Sequence, residues 1–423
     1  MDEIQTTEDE DDVANKTHNA YLWIHVLGTP IWAIFNILPI ILYKDLHATP
    51  LQITAIVTLK PLVSLISPYW ATAINQRPDR LLSNVIWARV LSLLPFFFFP
   101  FVDNIWFFIA AFALYMLLAR GVVPAWMEIL KLNLPKSRLG KTFAKGSLIG
   151  YCGNIFAPFI IGWLLDGYYQ AWRWLFPIGA LISLAAVFHS FRIPIPKSLD
   201  FPKPVEPNTP SIPLLEQLIA PWKNAWQILK GNRNFLKFQW GFMLGGAGTM
   251  IAKPVLPQFF VDTLHLNYLE ITMALGCLQG IGFVLSTPIW TQQLNRLDIF
   301  RFASWPPFWV CLFSICLLLA QVHTAWLFVG FFCYGVMECG SSLAWNLSGP
   351  IFSKNADSSQ YSNTNVLTVG VRACIIPTLG SYVGYLFGSP AVILVGGIIC
   401  LVGHLTFLSY SGRVEQEEKI AGS

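Results

Sequence analysis

Hydrophobic residues in this chain are grouped in long runs, each about 20 residues in length, separated by short polar segments. A helical run of that length crosses the hydrocarbon core of a bilayer. The pattern therefore predicts an all-α membrane protein with twelve transmembrane spans. In chain order the predicted spans are Ala20–Tyr43, Leu51–Ile74, Leu81–Val102, Ile105–Leu130, Phe143–Leu165, Trp172–Phe191, Phe235–Val261, Leu269–Gln292, Phe300–Ala320, Ala325–Leu347, Tyr361–Phe387 and Pro390–Tyr410.

The composition supports this class and excludes several others. Hydrophobic residues make up 55% of the chain and charged residues 12%, whereas a soluble domain carries about 25% charged residues. The sequence contains no GxxxxGK[ST] phosphate-binding loop, no HExxH or GxSxG motif and no loop cluster of metal ligands. All eight cysteines lie within hydrophobic runs, which is typical of packing residues. We therefore expect no enzymatic activity, no cofactor or metal, and no nucleic-acid partner.

Basic residues are distributed unequally between the two sides of the membrane. An even number of spans places both termini on one side, and the loops and tails of that side hold most of the 27 Lys and Arg residues. The opposite side holds only Lys44 and, at the start of span 6, Arg173. Because basic loops remain in the cytoplasm, both termini are predicted to be cytoplasmic in a multi-pass protein of the bacterial inner-membrane type.

Polar segments divide the chain into five parts. The acidic start predicts a disordered N-terminal tail. The central segment begins with a proline-rich linker, and its later part, Leu214–Leu229, has apolar residues at helical spacing. That pattern predicts a helix that either lies on the cytoplasmic membrane surface or covers the end of a bundle. The predicted parts are the tail 1–19, a six-span bundle 20–191, the linker and surface helix 192–234, a second six-span bundle 235–410 and a C-terminal tail 411–423.

The two halves of the chain share a sequence pattern. Positions 28–54 match positions 246–272 at an offset of 218, and a two-residue insertion shifts later matches to an offset of 220. Because the matches keep their order and direction, they predict a parallel repeat related by an axis along the membrane normal. Matched pairs include Gly28/Gly246, Pro39/Pro257, Leu46/Leu264, His47/His265, Trp70/Trp290, Asn75/Asn295 and Trp106/Trp326.

Two local motifs carry a resemblance to a known family. Gly162–Asp166 is followed by Trp172–Phe176 at the junction of spans 5 and 6, and Leu134–Lys141 connects spans 4 and 5. With the parallel six-span halves and the long central loop, these motifs resemble those of the major facilitator superfamily. The segment Gly153–Gly162 resembles the family's span 5 Gly-Pro motif, which is associated with exchangers. The resemblance implies secondary transport by alternating access, with spans 1, 4, 7 and 10 lining a central cavity.

The family's signature loop, Gly-x-x-x-Asp-Arg-x-Gly-Arg-Arg, falls on residues 71–80. Ala71, Asn75 and Pro78 replace its first Gly, its Asp and its second Gly. Asn75 lacks the charge of an aspartate but can still accept a hydrogen bond at a helix end. It is retained as a gating candidate, and whether the loop acts as a latch stays open.

Charged residues inside the spans are candidates for function, because an ionised group in the membrane is costly. The predicted spans contain more basic than acidic residues. The basic residues considered are Lys60, Arg120, Lys253 and Arg372, and the acidic ones are Glu338 and, near the end of span 4, Glu128. This excess of cations favours an anionic organic solute as the substrate. Arg89 is a further basic residue within a span but is not placed in the predicted site.

Polar and aromatic side chains on the cavity spans complete the predicted site. Span 10 carries Tyr334, Glu338 and Trp345 at spacings that place them on one face. Glu338 is the predicted proton-coupling residue, because a carboxyl that changes partner during transport could bind and release a proton. The predicted substrate-binding residues are Asn36, Lys60, Arg120, Lys253, Gln279, Tyr334, Trp345 and Arg372. The predicted gating residues are Pro39, Pro257, Asn75 and Glu128.

These observations favour a secondary active transporter of a small anionic organic solute. Coupling to protons is considered and not established by the sequence. The expected partners are the solute, the lipid bilayer and protons, and a monomer is expected. An exporter of drugs or lipids, and a transporter-like sensor without flux, remain as alternative functions.

Overall fold

A computed structural model describes residues 2–66, 69–70, 80–193, 214–353 and 358–421. Within these ranges all regular structure is helical, as the hydropathy pattern predicts. The helices of the first half are α1 (Asp2–Lys44), α2 (Pro50–Ser64), α3 (Leu81–Leu93), α4 (Ile105–Asn133), α5 (Lys136–Gly167) and α6 (Trp172–Phe191). A 3-10 helix, Leu94–Phe101, extends α3.

The second half begins with α7 (Leu214–Gly231), which has the position of the predicted surface helix. The α-helical structure that follows α7 is interrupted at three places. These are the 3-10 turn Lys253–Val255 and the π-helical turns Phe259–Thr263 and Met273–Leu278. A single α-helical turn, Leu256–Gln258, separates the first two interruptions. The other helices are α8 (Arg233–Ala252), α9 (Tyr268–Thr272), α10 (Gln279–Leu294), α11 (Ile299–Leu319), α12 (Ala325–Ser353), α13 (Ser358–Phe387) and α14 (Ser389–Ala421).

In the described part of the chain, 10 helical segments are long and apolar enough to cross a membrane. These segments correspond to ten of the twelve predicted spans. The segments outside this set are predicted spans 2 and 7. The described α2 has only 15 residues, and α8 contains polar residues and is interrupted at Lys253.

Contacts divide the chain into two units, 1–47 with 66–210 and 48–65 with 211–423. The predicted bundle boundaries assign span 2 to the first half, whereas the helix α2 packs with the second unit. Thr54 of α2 hydrogen-bonds Ser381 of α13, and the absence of a side chain at Gly370 of α13 accommodates Leu65. Membrane helices approach closely where small residues allow it, so glycine and hydroxyl side chains determine this packing.

The first unit has a mixed aliphatic and aromatic core. One cluster contains Tyr21, Leu81 and Trp126, and a second stacks the rings of Phe96 and Phe176, whose centroids lie 6.0 Å apart. Burial of such large rings removes extensive apolar surface from the surroundings and adds specific ring contacts. The core therefore connects α1, α3, α4 and α6.

The N-terminal segment differs from the expected disordered tail. Helix α1 begins at Asp2 and continues without a break into the first span. Its early turns are fixed by contacts, because Asn133 donates a hydrogen bond of 3.0 Å to Thr17 and Arg138 forms an ion pair of 3.2 Å with Asp11. Acidic residues also favour a helix N-terminus through the helix dipole. The acidic composition of the segment does not reveal these contacts with distant residues.

The second unit combines a phenylalanine-rich core with a buried polar network. Phe238 and Phe407 are among the fully buried rings. Beside them, Asn365 donates a hydrogen bond of 2.7 Å to Ser348, and Thr368 donates one of 3.1 Å to Gln239. Such hydrogen bonds connect membrane helices because the apolar surroundings offer no competing water. They join α8, α12 and α13.

The sequence repeat has a counterpart in backbone geometry. His47 and His265, which are paired at an offset of 218, have left-handed φ values of 53° and 51°. Each is followed by a helix with a reciprocal capping box, formed by Thr49 with Gln52 and by Asn267 with Glu270. Non-glycine residues rarely adopt this conformation. Its presence at matched positions, with the same type of cap, confirms that these two loops are built alike.

Candidate functional site

Lys253 lies where α8 ends and a 3-10 turn begins. The cause is local, because Pro254 and Pro257 have no N–H groups and interrupt the α-helical hydrogen-bond ladder. Lys253 is exposed, whereas Pro257 is buried. The interruption therefore holds a lysine side chain at an irregular helical segment, where functional residues are often found.

Glu338 on α12 meets Gln279 at the start of α10. The Gln279 Nε2 donates a hydrogen bond of 2.7 Å to Glu338 Oε2. The two helices approach closely through glycines, since a Cβ on Gly335 would overlap the backbone of Gln279 and one on Gly282 would overlap that of Phe332. The sequence repeat aligns Gln279 with Lys60, and only the structure pairs it with the carboxylate.

Lys253 lies among other charged side chains of the second unit. Lys253 interacts electrostatically with Glu338 and also with Lys60 and Arg372. No ion pair within 4.0 Å joins Lys253 to Glu338 in the described residues. The second unit thus brings together one predicted carboxylate, its amide partner and three of the predicted cations.

Aromatic side chains lie along the same helix as Glu338. Tyr334, one turn earlier on α12, packs against Phe313 with ring centroids 5.0 Å apart. Trp345 packs against Phe242 with ring centroids 5.8 Å apart. Both rings are half-buried, so α12 presents aromatic surface on either side of its carboxylate.

The side chain of Arg372 on α13 donates hydrogen bonds to backbone carbonyls of α8. Its side chain is 6% exposed, and Nη1 donates a hydrogen bond of 2.6 Å to the Phe242 carbonyl and a longer one of 3.4 Å to that of Met243. The guanidinium lies beside Gly246, where a Cβ would overlap it. This geometry fastens α13 to α8 and identifies a structural role for the arginine.

The predicted residues of the first unit are spread along α1 and α4. Asn36 is exposed, and Arg120 is half-buried. Glu128 forms an exposed ion pair of 3.5 Å with Lys131, and surface pairs of this kind stabilise a fold only weakly. Pro39 lies inside α1, which continues to Lys44 without interruption. Asn75, the last gating candidate, is outside the described residues.

The first unit contains a cavity that the predicted site does not include. It has a volume of about 320 Å³ and lies between α1, α3, α4 and α6. Arg89 of α3 projects into it, next to His25 and Tyr115. In the sequence, Arg89 is recognisable only as an arginine within an apolar span. The number of charged residues in the spans does not show which of them lies at a cavity.

The structure is that of a helical membrane protein with two units, whose long apolar helices carry charged side chains. Transporters belong to this class. The Major Facilitator Superfamily profile matches residues 22–362, and the chain belongs to this superfamily. No curated protein sequence matches the chain.

Solved structures agree in fold. A point mutant of the nucleoside transporter NupG superposes with a TM-score of 0.74 at 13% identity, over 93% of this chain and 99% of the other. A POT family transporter in complex with 5-aminolevulinic acid gives 0.73 at 13% identity, over 94% and 96%. A bacterial homolog of the human lysosomal transporter Spinster, inward-facing and unoccupied, gives 0.64 at 11% identity, over 94% and 97%. At such low sequence identity, these superpositions show that the proteins share a fold and nothing more specific.

Proposed function

We propose that the protein is a secondary active transporter that moves a small anionic organic solute across the membrane by alternating access. Its transport is coupled to protons through Glu338. The observation that carries this proposal is the group formed by Glu338, Gln279 and Lys253 in the second unit. Transporters with a similar fold carry nucleosides or bind 5-aminolevulinic acid, which agrees with a small polar solute.

The anionic character of the solute follows from the balance of charges. Lys253 interacts with two cations and one carboxylate, and Arg372 uses its Nη1 for backbone carbonyls. Lys253 is therefore the better ligand for a solute anion, while Arg372 adds positive potential from a fixed position. An anion placed beside Lys253 compensates the excess positive charge.

Glu338 suits a proton-coupling role because its partner is neutral. An amide has both donors and an acceptor, so Gln279 can hydrogen-bond Glu338 as a carboxylate or, after rotation of the amide, as a carboxylic acid. The pair therefore remains bonded in both protonation states. The charge beside Lys253 changes between these states, which links proton binding to solute binding.

A second candidate function, transport of a lipid or an apolar drug, is favoured by a separate groove. The groove has a volume of about 370 Å³ between α10, α11 and α12 and is lined by Leu285, Ile289 and Trp305, which are exposed. Exposed apolar residues also occur on any helix that contacts lipid tails. The groove therefore supports this function less specifically than the charged group supports an anion.

The test uses purified protein in liposomes. A thermal-shift screen of small organic anions, cations and neutral solutes first identifies a ligand, because binding to the native state raises the unfolding temperature. Uptake of that ligand is then driven by a pH gradient while a trapped dye reports internal pH. We expect Lys253→Gln to weaken binding, and Glu338→Gln to retain counterflow exchange but lose gradient-driven accumulation.

Matched controls are available on α7. Glu216 and Lys223 are exposed, and Glu216→Gln and Lys223→Gln make the same chemical changes outside the proposed site. Both should transport normally. A well-folded Glu338→Gln protein that still accumulates the ligand in response to a pH gradient would contradict the coupling role. Ligands that are all neutral or cationic would contradict the anionic substrate.

A further inference from the structure

The cavity of the first unit has walls suited to a planar molecule. Trp32 and Tyr115 stand edge to face with ring centroids 5.8 Å apart, and Tyr21 and Trp126 do the same at 5.8 Å. All four rings line the cavity. Its volume of about 320 Å³ lies at the lower end of the range for small-molecule sites. A second cavity of about 190 Å³ shares Arg89 and adds Asn154 of α5.

Two buried donors at this cavity have no acceptor. The Nη1 of Arg89 and the Nε1 of Trp126 are inaccessible to solvent and make no hydrogen bond within the described ranges. Both residues line the cavity, and none of the other described residues that line it is acidic. Native proteins satisfy almost all buried polar groups, and an uncompensated buried cation is especially costly. A negatively charged acceptor bound at Arg89 would compensate this cation.

The second unit provides an internal comparison. Gly246, the repeat partner of Gly28, lies against Arg372, and that arginine donates to the carbonyls of Phe242 and Met243. Gly28 lines the same cavity as Arg89, and a Cβ at Gly28 would meet nothing within 4 Å. In the second unit, Arg372 therefore packs against the repeated glycine Gly246. In the first unit no described atom lies within 4 Å of a Cβ at Gly28. The Nη1 of Arg89 and the Nε of Arg372 both lack an acceptor among the described residues, so the difference between the two arginines is that the Nη1 of Arg372 is held by two carbonyls.

We infer that the first unit contains a binding site for a small aromatic carboxylate. The carboxylate accepts hydrogen bonds from Arg89 and Trp126 after side-chain rotations expose their buried donors, and the ring of the ligand lies between the aromatic walls. Arginine is suited to this contact because its planar fork matches a carboxylate. The site is distinct from the group around Glu338, and its occupancy does not depend on proton coupling or on flux.

The experiment is isothermal titration calorimetry on the full chain purified in detergent, with no gradient present. The probes are benzoate, phenylacetate and indole-3-acetate, and phenylacetamide serves as the neutral isostere of phenylacetate. We expect at least one carboxylate to bind and the amide to bind about tenfold more weakly or worse, since hydrogen bonds to charged groups are the stronger ones.

Three variants examine the site by different means. Arg89→Gln removes the charge and should weaken carboxylate binding about tenfold or more, while Trp126→Phe removes one donor and should weaken it about threefold. Gly28→Leu fills the empty space beside the repeated glycine and should abolish binding without a change in charge. Arg138→Gln, which alters an exposed arginine of the same unit, should bind as the unaltered protein does.

The folded state of each variant is checked by its unfolding temperature. Arg89→Gln removes a buried charge whose Nη1 has no acceptor, so its stability should not fall. The proposal is overturned if none of the three carboxylates binds, or if Arg89→Gln and Gly28→Leu both retain full affinity. It is also overturned if Lys253→Gln abolishes binding while Arg89→Gln does not, because the ligand would then occupy the second unit.

Discussion

At the residue scale, the surroundings of one glycine position differ sharply between the two halves. Gly28 and Gly246 match in the sequence repeat, yet open space surrounds the first and a guanidinium lies against the second. A side chain is costly only where its atoms overlap a neighbour that cannot move. Arg372 has limited freedom because it is held by two carbonyls of α8.

The same substitution at the two glycines should therefore have opposite effects. Gly246→Ala should destabilise the protein by about 1–3 kcal/mol through overpacking. Gly28→Ala should be neutral or stabilise it by up to about 1 kcal/mol, because alanine is the better helix former. The measurement is the shift in unfolding temperature of each purified variant. Equal shifts at both positions would refute the role of Arg372 as a fixed packing partner.

Glu338 and Gln279 illustrate how a functional pair arises from packing at this scale. The sequence places both among the candidates, and the 2.7 Å hydrogen bond joins them. The close approach of α10 and α12 depends on Gly282 and Gly335, which do not stand out in a hydropathy profile. The hydrogen bond between these two helices therefore depends on glycines, which have no functional side chain.

At the element scale, α7 leaves a strip of large apolar side chains exposed. Ile219, Trp222 and Trp226 have between 41% and 60% of their surface exposed, while Ala225 is buried. Lys230 lies over the ring of Trp226 at 5.0 Å. Trp side chains favour the membrane interface, and helical spacing places the three exposed residues on one side. These features favour contact of α7 with the membrane surface.

Spin labels on α7 distinguish its two possible positions. In a cysteine-free background, a label at Trp226→Cys should collide more often with dissolved oxygen, which concentrates in lipid, than with a water-soluble nickel complex. A label at Asn224→Cys, on the opposite side of the helix, should show the reverse preference. The measurement is continuous-wave EPR saturation in liposomes. Equal accessibility to the nickel complex at both positions would exclude a membrane-surface location and leave a helix that covers the bundle end.

At the scale of the whole molecule, the distribution of Lys and Arg predicts an orientation with both termini in the cytoplasm. With both termini in the cytoplasm, cysteines introduced at Ser198 and Ser423 should react with an impermeant thiol reagent only after the membrane is opened. A cysteine at Asn267 should react in intact cells, because its loop lies on the side that carries few basic residues. Reaction at Ser423 from outside would contradict the even number of spans.

Most of the architecture could be predicted from the sequence, because its signals are local. Apolar runs determined the helical membrane class, and matched loop residues such as His47 and His265 identified the repeat before their shared backbone conformation was seen. Helix capping is equally local, since Asn267 and Glu270 are only three residues apart. These features depend on neighbours in the chain, so the sequence contains the information they need.

Only the tertiary structure decided what each charged residue does. Arg372 donates hydrogen bonds to two carbonyls of α8, whereas Arg89 lines a cavity and its buried Nη1 has no acceptor among the described residues. In the sequence both are arginines within apolar spans. The helical N-terminal part of α1 also has tertiary partners, because Asn133 and Arg138 contact Thr17 and Asp11 from another part of the chain. Contacts between distant segments set the free energy of a buried charge, and no local pattern specifies which segments will meet.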